Sequence, residues 1–296
     1  MEWIVLLLIV FIGFSLFVRK NTSYKFGLSP KTLELKQIKG LKKLNDTLEQ
    51  SLPKSFMENV EVRVRNNNRL KENEYEWRLL DLKRYFIMAS LLKESPMFSE
   101  KVDELWHEML MFTREYDNFS TNYLGAKLHH SPNVKIDPDP DLRGFFDWVY
   151  AELFFIRSEN NRLYKGFFRN PVSPNVMDDF KNLSENELID IYFKRDTKYM
   201  KTVLALIFSM KNTVNGIRDY EKKLIQQQLI KGKTQQNYNA LLVPFLSVSY
   251  FHYDEFSSYM KISNSDSLSN CTSCGSGSSC RSCSSDSSCS SCGGGD

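Results

Sequence analysis

"SEKVDELWHEMLMFTREYDNFSTNY", Ser99 to Tyr123, is the stretch that decides the fold class. Val102, Leu105, Trp106, Met109, Phe112, Tyr116, Phe119 and Tyr123 recur at intervals of three and four, which gathers apolar side chains on one face of a helix. Ser99 stands where an N-cap belongs. From Pro30 onward continuous period-two alternation is hard to find, so the expected fold is all-α, with a multi-helix domain over residues 30–262.

Working outward, Ser29 followed by Pro30 predicts an N-cap with Pro at the first helical position, opening a Lys-rich helix toward Leu52. "WRLLDLKRYFIMASLLK" predicts a long helix ending before Pro96, and "DPDPDLRGFFDWVYAELFFI" another with Asp139 as cap and Pro140 at its first position. Ser184 and Glu187 have capping-box spacing. Thr202 to Met210 is apolar enough to suggest a span, but Lys201 and Lys211 bracket it too closely, which makes it a core helix. The helical pattern continues through "GIRDYEKKLIQQQLIKGK", with Gly232 as its expected stop. "NALLVPFLSVSYFHYDEF" reads as a broken helix or mixed stretch, with His252 a satisfied core or boundary residue.

The two ends differ from the middle. Trp3 to Val18 is an unbroken apolar run, slightly short of the roughly 17 to 25 residues a span uses, and Arg19 and Lys20 follow it. Glu2 precedes the run and no small-x-small site follows, so residues 1–20 are expected to be an uncleaved membrane anchor and not a signal peptide. Lys and Arg lie only after the run, which puts the bulk of a single-pass cell-membrane protein on the cytoplasmic side. Residues 263–296 are rich in Ser, Gly and Cys and offer almost no apolar surface, so a disordered tail is expected. All six cysteines are there: Cys271 pairs in sequence with Cys274, Cys280 with Cys283, and Cys289 with Cys292, a C-x-x-C unit repeating every nine residues. Paired thiols at this spacing can hold Zn²⁺ or Cu⁺, which makes all six candidate metal ligands. Redox exchange and a spacer without a thiol-dependent role are the alternatives.

The net charge of +3 is small for 296 residues and the basic residues are spread out, which argues against nucleic-acid binding. No phosphate loop, nucleophile elbow or Rossmann turn is present, and the folded part has no thiol. Chemistry has one candidate place there. His107 lies at the edge of the apolar face, with Asp103 four residues earlier and Glu104 three earlier; His129 and His130 enter just before Ser131-Pro132. Adjacent histidines diverge, so one should face inward and the other outward. A site joining His107, one of His129 and His130, and Asp103 or Glu104 suits a divalent metal by ligand type. The competing reading is a hydrogen-bonded buried network or a helix-capping histidine.

Asp103, Trp106, His107, Thr113, Tyr116, Phe119, Gly125, His129, His130 and Pro132 form a D-x-x-W-H to H-H-x-P segment, spanning about residues 75–135. It resembles a segment of bacterial proteins similar to the glycine-rich domain-containing protein family. Ser120 stands where such segments are expected often to carry Cys, which argues against a thiol in any shared site. The resemblance implies a helical fold and no established reaction. The leading expectation is a membrane-tethered helical protein with an interaction or scaffold role and a protein partner. Its rivals are metal handling through the tail and an enzyme built on the His107 group.

Overall fold

The computed structural model describes residues 24–130 and 140–260, and these are helical, with no strand among the described residues. The expected all-α class holds. Two isolated bridges, Leu35 with Phe154 and Leu92 with Phe193, are the only extended pairings among them. No helix of the described residues is long and apolar enough to cross a membrane. The anchor expected at residues 1–20 and the cysteine tail at 263–296 lie outside the described residues.

The chain does not start a helix at Pro30. Tyr24 to Lys39 runs irregularly across the core, and the first helix among the described residues, α1, is Leu41–Ser51. The local Ser-Pro signal is overridden by tertiary partners. The Arg84 guanidinium donates twice to the Leu33 carbonyl, at 2.9 and 3.1 Å, the Trp77 indole N–H donates to the Gly27 carbonyl, and the Lys36 N–H donates to the Leu153 carbonyl. Glu34 adopts φ +47° to make this path. Gly40 opens α1 at φ +88°, where an added Cβ would stand 2.5 Å from the Thr202 hydroxyl.

After α2 (Lys54–Asn67) comes the central α3 (Glu74–Leu91), buried on nearly every side. The predicted Ser99 helix opens as expected, with the Ser99 hydroxyl accepting from the Val102 N–H, but it is two helices: α4 (Glu100–Leu110) and α5 (Thr113–Leu124), turned at Met111-Phe112. The eight apolar positions still face inward across the break, Phe112 only in part.

α6 (Pro140–Leu153) supplies Phe146, Trp148, Val149 and Tyr150 to the same core. Short α7 (Ser158–Leu163) and α8 (Pro174–Asn182) follow, then α9 (Glu185–Tyr192), whose Ser184–Glu187 capping box forms as its spacing indicates. α10 (Met200–Asn215) is the core helix expected from Thr202 to Met210. The pattern does not run on unbroken. Gly216 ends α10, and α11 resumes at Lys222 and runs to Thr234. Gly232 is therefore inside α11 and not its stop: a Cβ there would meet Leu241 at 2.5 Å, so glycine permits close packing against the 3₁₀ turn Tyr238–Leu241. Gln236, at φ +52°, carries the reversal instead. α12 (Leu242–Phe251) takes Pro244 in its first turn, and α13 (Phe256–Tyr259) ends the described chain. His252 is at the boundary, its Nε2 2.7 Å from Asp219 and its ring stacked on Tyr259.

The core holds paired charges as well as apolar side chains. Asp81 on α3 accepts from the Tyr150 hydroxyl at 2.5 Å and from the Asn160 amide at 3.1 Å, while Arg84 donates to the Tyr150 oxygen at 2.8 Å. Asp147 takes Arg143 on one oxygen and the Phe168 N–H on the other, and burial pushes its carboxyl up to about 6.

Candidate metal centre

Asp103 and His107 are one turn apart on α4, which puts both on the same flank. Their approach is 3.8 Å, from His107 Nε2 to an Asp103 carboxylate oxygen. The third member arrives from elsewhere in the chain. Gly125, at φ +79°, ends α5 in the left-handed region and turns the chain back toward α4. The Trp106 indole N–H then donates to the Tyr116 hydroxyl at 2.9 Å, and that hydroxyl donates to the Leu128 carbonyl at 2.9 Å. This relay ties α4, α5 and the returning segment together two residues before His130.

His130 lies edge-on to Trp106, with ring centres 4.4 Å apart, and places Nε2 2.8 Å from the other Asp103 oxygen. Its ring is 4.6 Å from that of His107. Asp103, His107 and His130 each direct a ligand atom so that all three lie within 4.8 Å of one another. The site is graded: the His130 side chain is 6% exposed, Asp103 19% and His107 53%. It opens to solvent at His107.

In a tetrahedral site with bonds of about 2.0 to 2.1 Å, ligand atoms stand roughly 3.4 Å apart. The 2.8 and 3.8 Å separations run to different Asp103 oxygens and the three ligand atoms lie within 4.8 Å of one another, so side-chain movement would have to bring them to that spacing to seat an ion. Two imidazoles and a carboxylate suit a transition metal and leave coordination positions for water or another ligand. With no ion, a protonated Nε2 on His130 donates to Asp103 and the same geometry is a hydrogen bond.

The other residues singled out by the sequence go elsewhere. His129 is exposed and outside the group of three ligand atoms, in keeping with the divergence of adjacent histidines. Glu104 pairs with Arg78 at 2.8 Å and is not a candidate ligand. The tail ligands expected from the C-x-x-C repeats, Cys271, Cys274, Cys280, Cys283, Cys289 and Cys292, lie outside the described residues, as does Pro132.

Sequence reasoning missed the surrounding polar frame. Glu108, next to His107, accepts from Arg63 at 2.8 Å and Asn67 at 2.9 Å; burial would raise its carboxyl, but these partners hold it below the usual range. Burial likewise opposes ionisation of Glu74, yet Lys101 and Arg78 outweigh it and keep its pKa low. Tyr116 is pushed up to about 12 by burial, so its hydroxyl stays protonated and the relay keeps its donor. A Trp and a Tyr ten residues apart was the available signal for that relay, but only the turn at Met111-Phe112 gives it meaning.

A family model described as UCP032817-like, an uncharacterised family, matches residues 44–144, about a third of the chain. The match runs from within α1 through α5 and takes in all three members of the histidine–aspartate group. It does not carry the glycine-rich name that the D-x-x-W-H segment suggested. No curated protein and no solved structure matches the chain.

Proposed function

We propose that Asp103, His107 and His130 bind one divalent transition metal, and that the helical domain works through it. The convergence of two imidazole nitrogens and a carboxylate within 4.8 Å, open to solvent on the His107 side, supports this reading most. Three protein ligands instead of four leave room for a water or substrate, the arrangement of metal sites that act as Lewis acids. Metal content after purification tests it on the full chain with all six cysteines replaced by serine. Near-stoichiometric Zn, Mn or Fe that disappears in Asp103→Ala/His130→Ala supports the site; metal retained in that variant contradicts it.

A second reading, a membrane-tethered interaction module on the cytoplasmic side, draws on the Trp3 to Val18 run and the basic residues after it. It is compatible with the first. A tethered protein stays with membranes at high salt and alkaline pH, because hydrophobic transfer is not screened. Extraction by salt alone would remove the tether. The C-x-x-C repeats add a third reading, a soft thiolate array in which Cys271 with Cys274, Cys280 with Cys283 and Cys289 with Cys292 take up Zn²⁺ or Cu⁺ separately from the histidine site.

A further inference from the structure

A second concavity lies away from the histidine site, between the irregular segment before α1 and the exposed face of α10, with a volume of about 640 Å³. This falls within the few hundred to one thousand Å³ usual for small-molecule sites. Ile38, Leu204 and Phe208 line it, and Phe208 remains 63% exposed in a helix whose opposite face is core. The only charged lining residues are Lys39 and Lys201, both exposed, and neither has a carboxylate partner among the described residues.

Ser209 lines the cavity and donates its hydroxyl hydrogen to Glu152 at 2.8 Å; Glu152 is buried and also accepts from the Trp148 indole at 3.1 Å. Glu152 also interacts electrostatically with the part-buried Lys36, so the unbalanced charge among the lining residues is that of Lys39 and Lys201, which favours a negative group beside them. We infer that this cavity binds a free amphiphile with one anionic head group, its apolar body against Ile38, Leu204 and Phe208 and its head between Lys39 and Lys201. The occupant is a dissolved molecule and not a bilayer, because the apolar side chains line a concavity, whereas a membrane surface requires apolar groups that protrude together.

Dodecanoate below its micellar concentration is the probe, titrated calorimetrically into the full chain, with dodecyltrimethylammonium as the cationic counterpart and vesicles with and without anionic lipid as a third arm. Saturable binding of one dodecanoate per chain is expected, weakened at least tenfold in Lys39→Glu/Lys201→Glu and in Phe208→Ser, with little binding of the cation. All three substitutions are at exposed positions, and unchanged melting of each variant shows that weakening is local. The inference is overturned by absence of dodecanoate binding, by equal binding of the cation, by an unaffected lysine variant, or by affinity for anionic vesicles alone.

Discussion

Two aspartate-centred clusters share one helical frame and are built on opposite terms. Asp81 is sealed: its oxygens are committed to Tyr150 and Asn160, with Arg84 fully buried beside it. Asp103 accepts from a buried histidine on one side and faces a half-exposed one on the other. In the first cluster both Asp81 oxygens find their partners within the protein interior. In the second, three ligand atoms converge at a solvent edge. Polar side chains in a helical core therefore divide by access: sealed groups hold the fold, and a group open to solvent is accessible to a ligand.

Breaking the sealed cluster should have the largest effect on stability. Arg84→Met removes a buried cation from Asp81 and strips the Leu33 carbonyl of its donor, and urea unfolding should show a loss of about 3 to 5 kcal/mol. Asp103→Ala should lose less than about 2 kcal/mol, since solvent reaches its surroundings. Equal losses would erase the distinction.

Asp147 sharpens the contrast through pH. Its folded pKa, about 6, is raised above the ordinary aspartate value, so between about pH 4 and 6 the folded state binds more protons than the unfolded state. This group's contribution therefore grows as pH falls through that window and is lost as pH rises through about 6, by on the order of 2 to 3 kcal/mol. Asp147→Asn should flatten the unfolding free energy between pH 6 and 4 relative to the parent. Glu74 has the opposite sign. Its folded pKa is depressed, so its contribution is present above the ordinary glutamate value and is lost as pH falls through its folded pKa. An unchanged slope in Asp147→Asn would show that the carboxyl titrates normally.

Smaller still is the difference between the adjacent histidines. His130→Ala should cost about 1 to 2 kcal/mol by removing a buried partner of Asp103, and His129→Ala should stay within about 0.5 kcal/mol. Matching thermal shifts would place both imidazoles in the same environment. Smallest of all, deleting residues 263–296 should leave the melting temperature of the helical domain unchanged and lower only the metal bound per chain, because the tail has almost no apolar surface to contribute.

How much of this was legible in the sequence follows the same division. Apolar periodicity gave the helical class and the inward positions from Val102 to Tyr123, because burial of a stripe leaves a period. The stripe Glu74, Arg78, Asp81 and Arg84, alternating in sign every three or four residues, resembles a solvated face, yet all four are buried. Their partners Lys101, Tyr150, Asn160 and the Leu33 carbonyl lie on other segments, and no local pattern announces them. Pro30 misleads for the same reason: Arg84 captures the Leu33 backbone and holds that segment out of a helix. Asp103 and His107 could be paired from spacing alone. His130 could be proposed by residue type, but its approach depends on the Met111-Phe112 turn, on Gly125 in the left-handed region and on the Trp106–Tyr116–Leu128 relay.

The central claim, that the open cluster is a metal site, is tested most directly by titrating Co²⁺ into the full chain with its six cysteines replaced by serine and recording the visible absorption. One equivalent should produce a saturating band of a low-coordinate nitrogen–oxygen site, lost in Asp103→Ala and in His130→Ala, weakened in His107→Ala and retained in His129→Ala. No band at one equivalent, or a band indifferent to Asp103 and His130, would contradict the claim and leave the cluster as a hydrogen bond between His130 and Asp103.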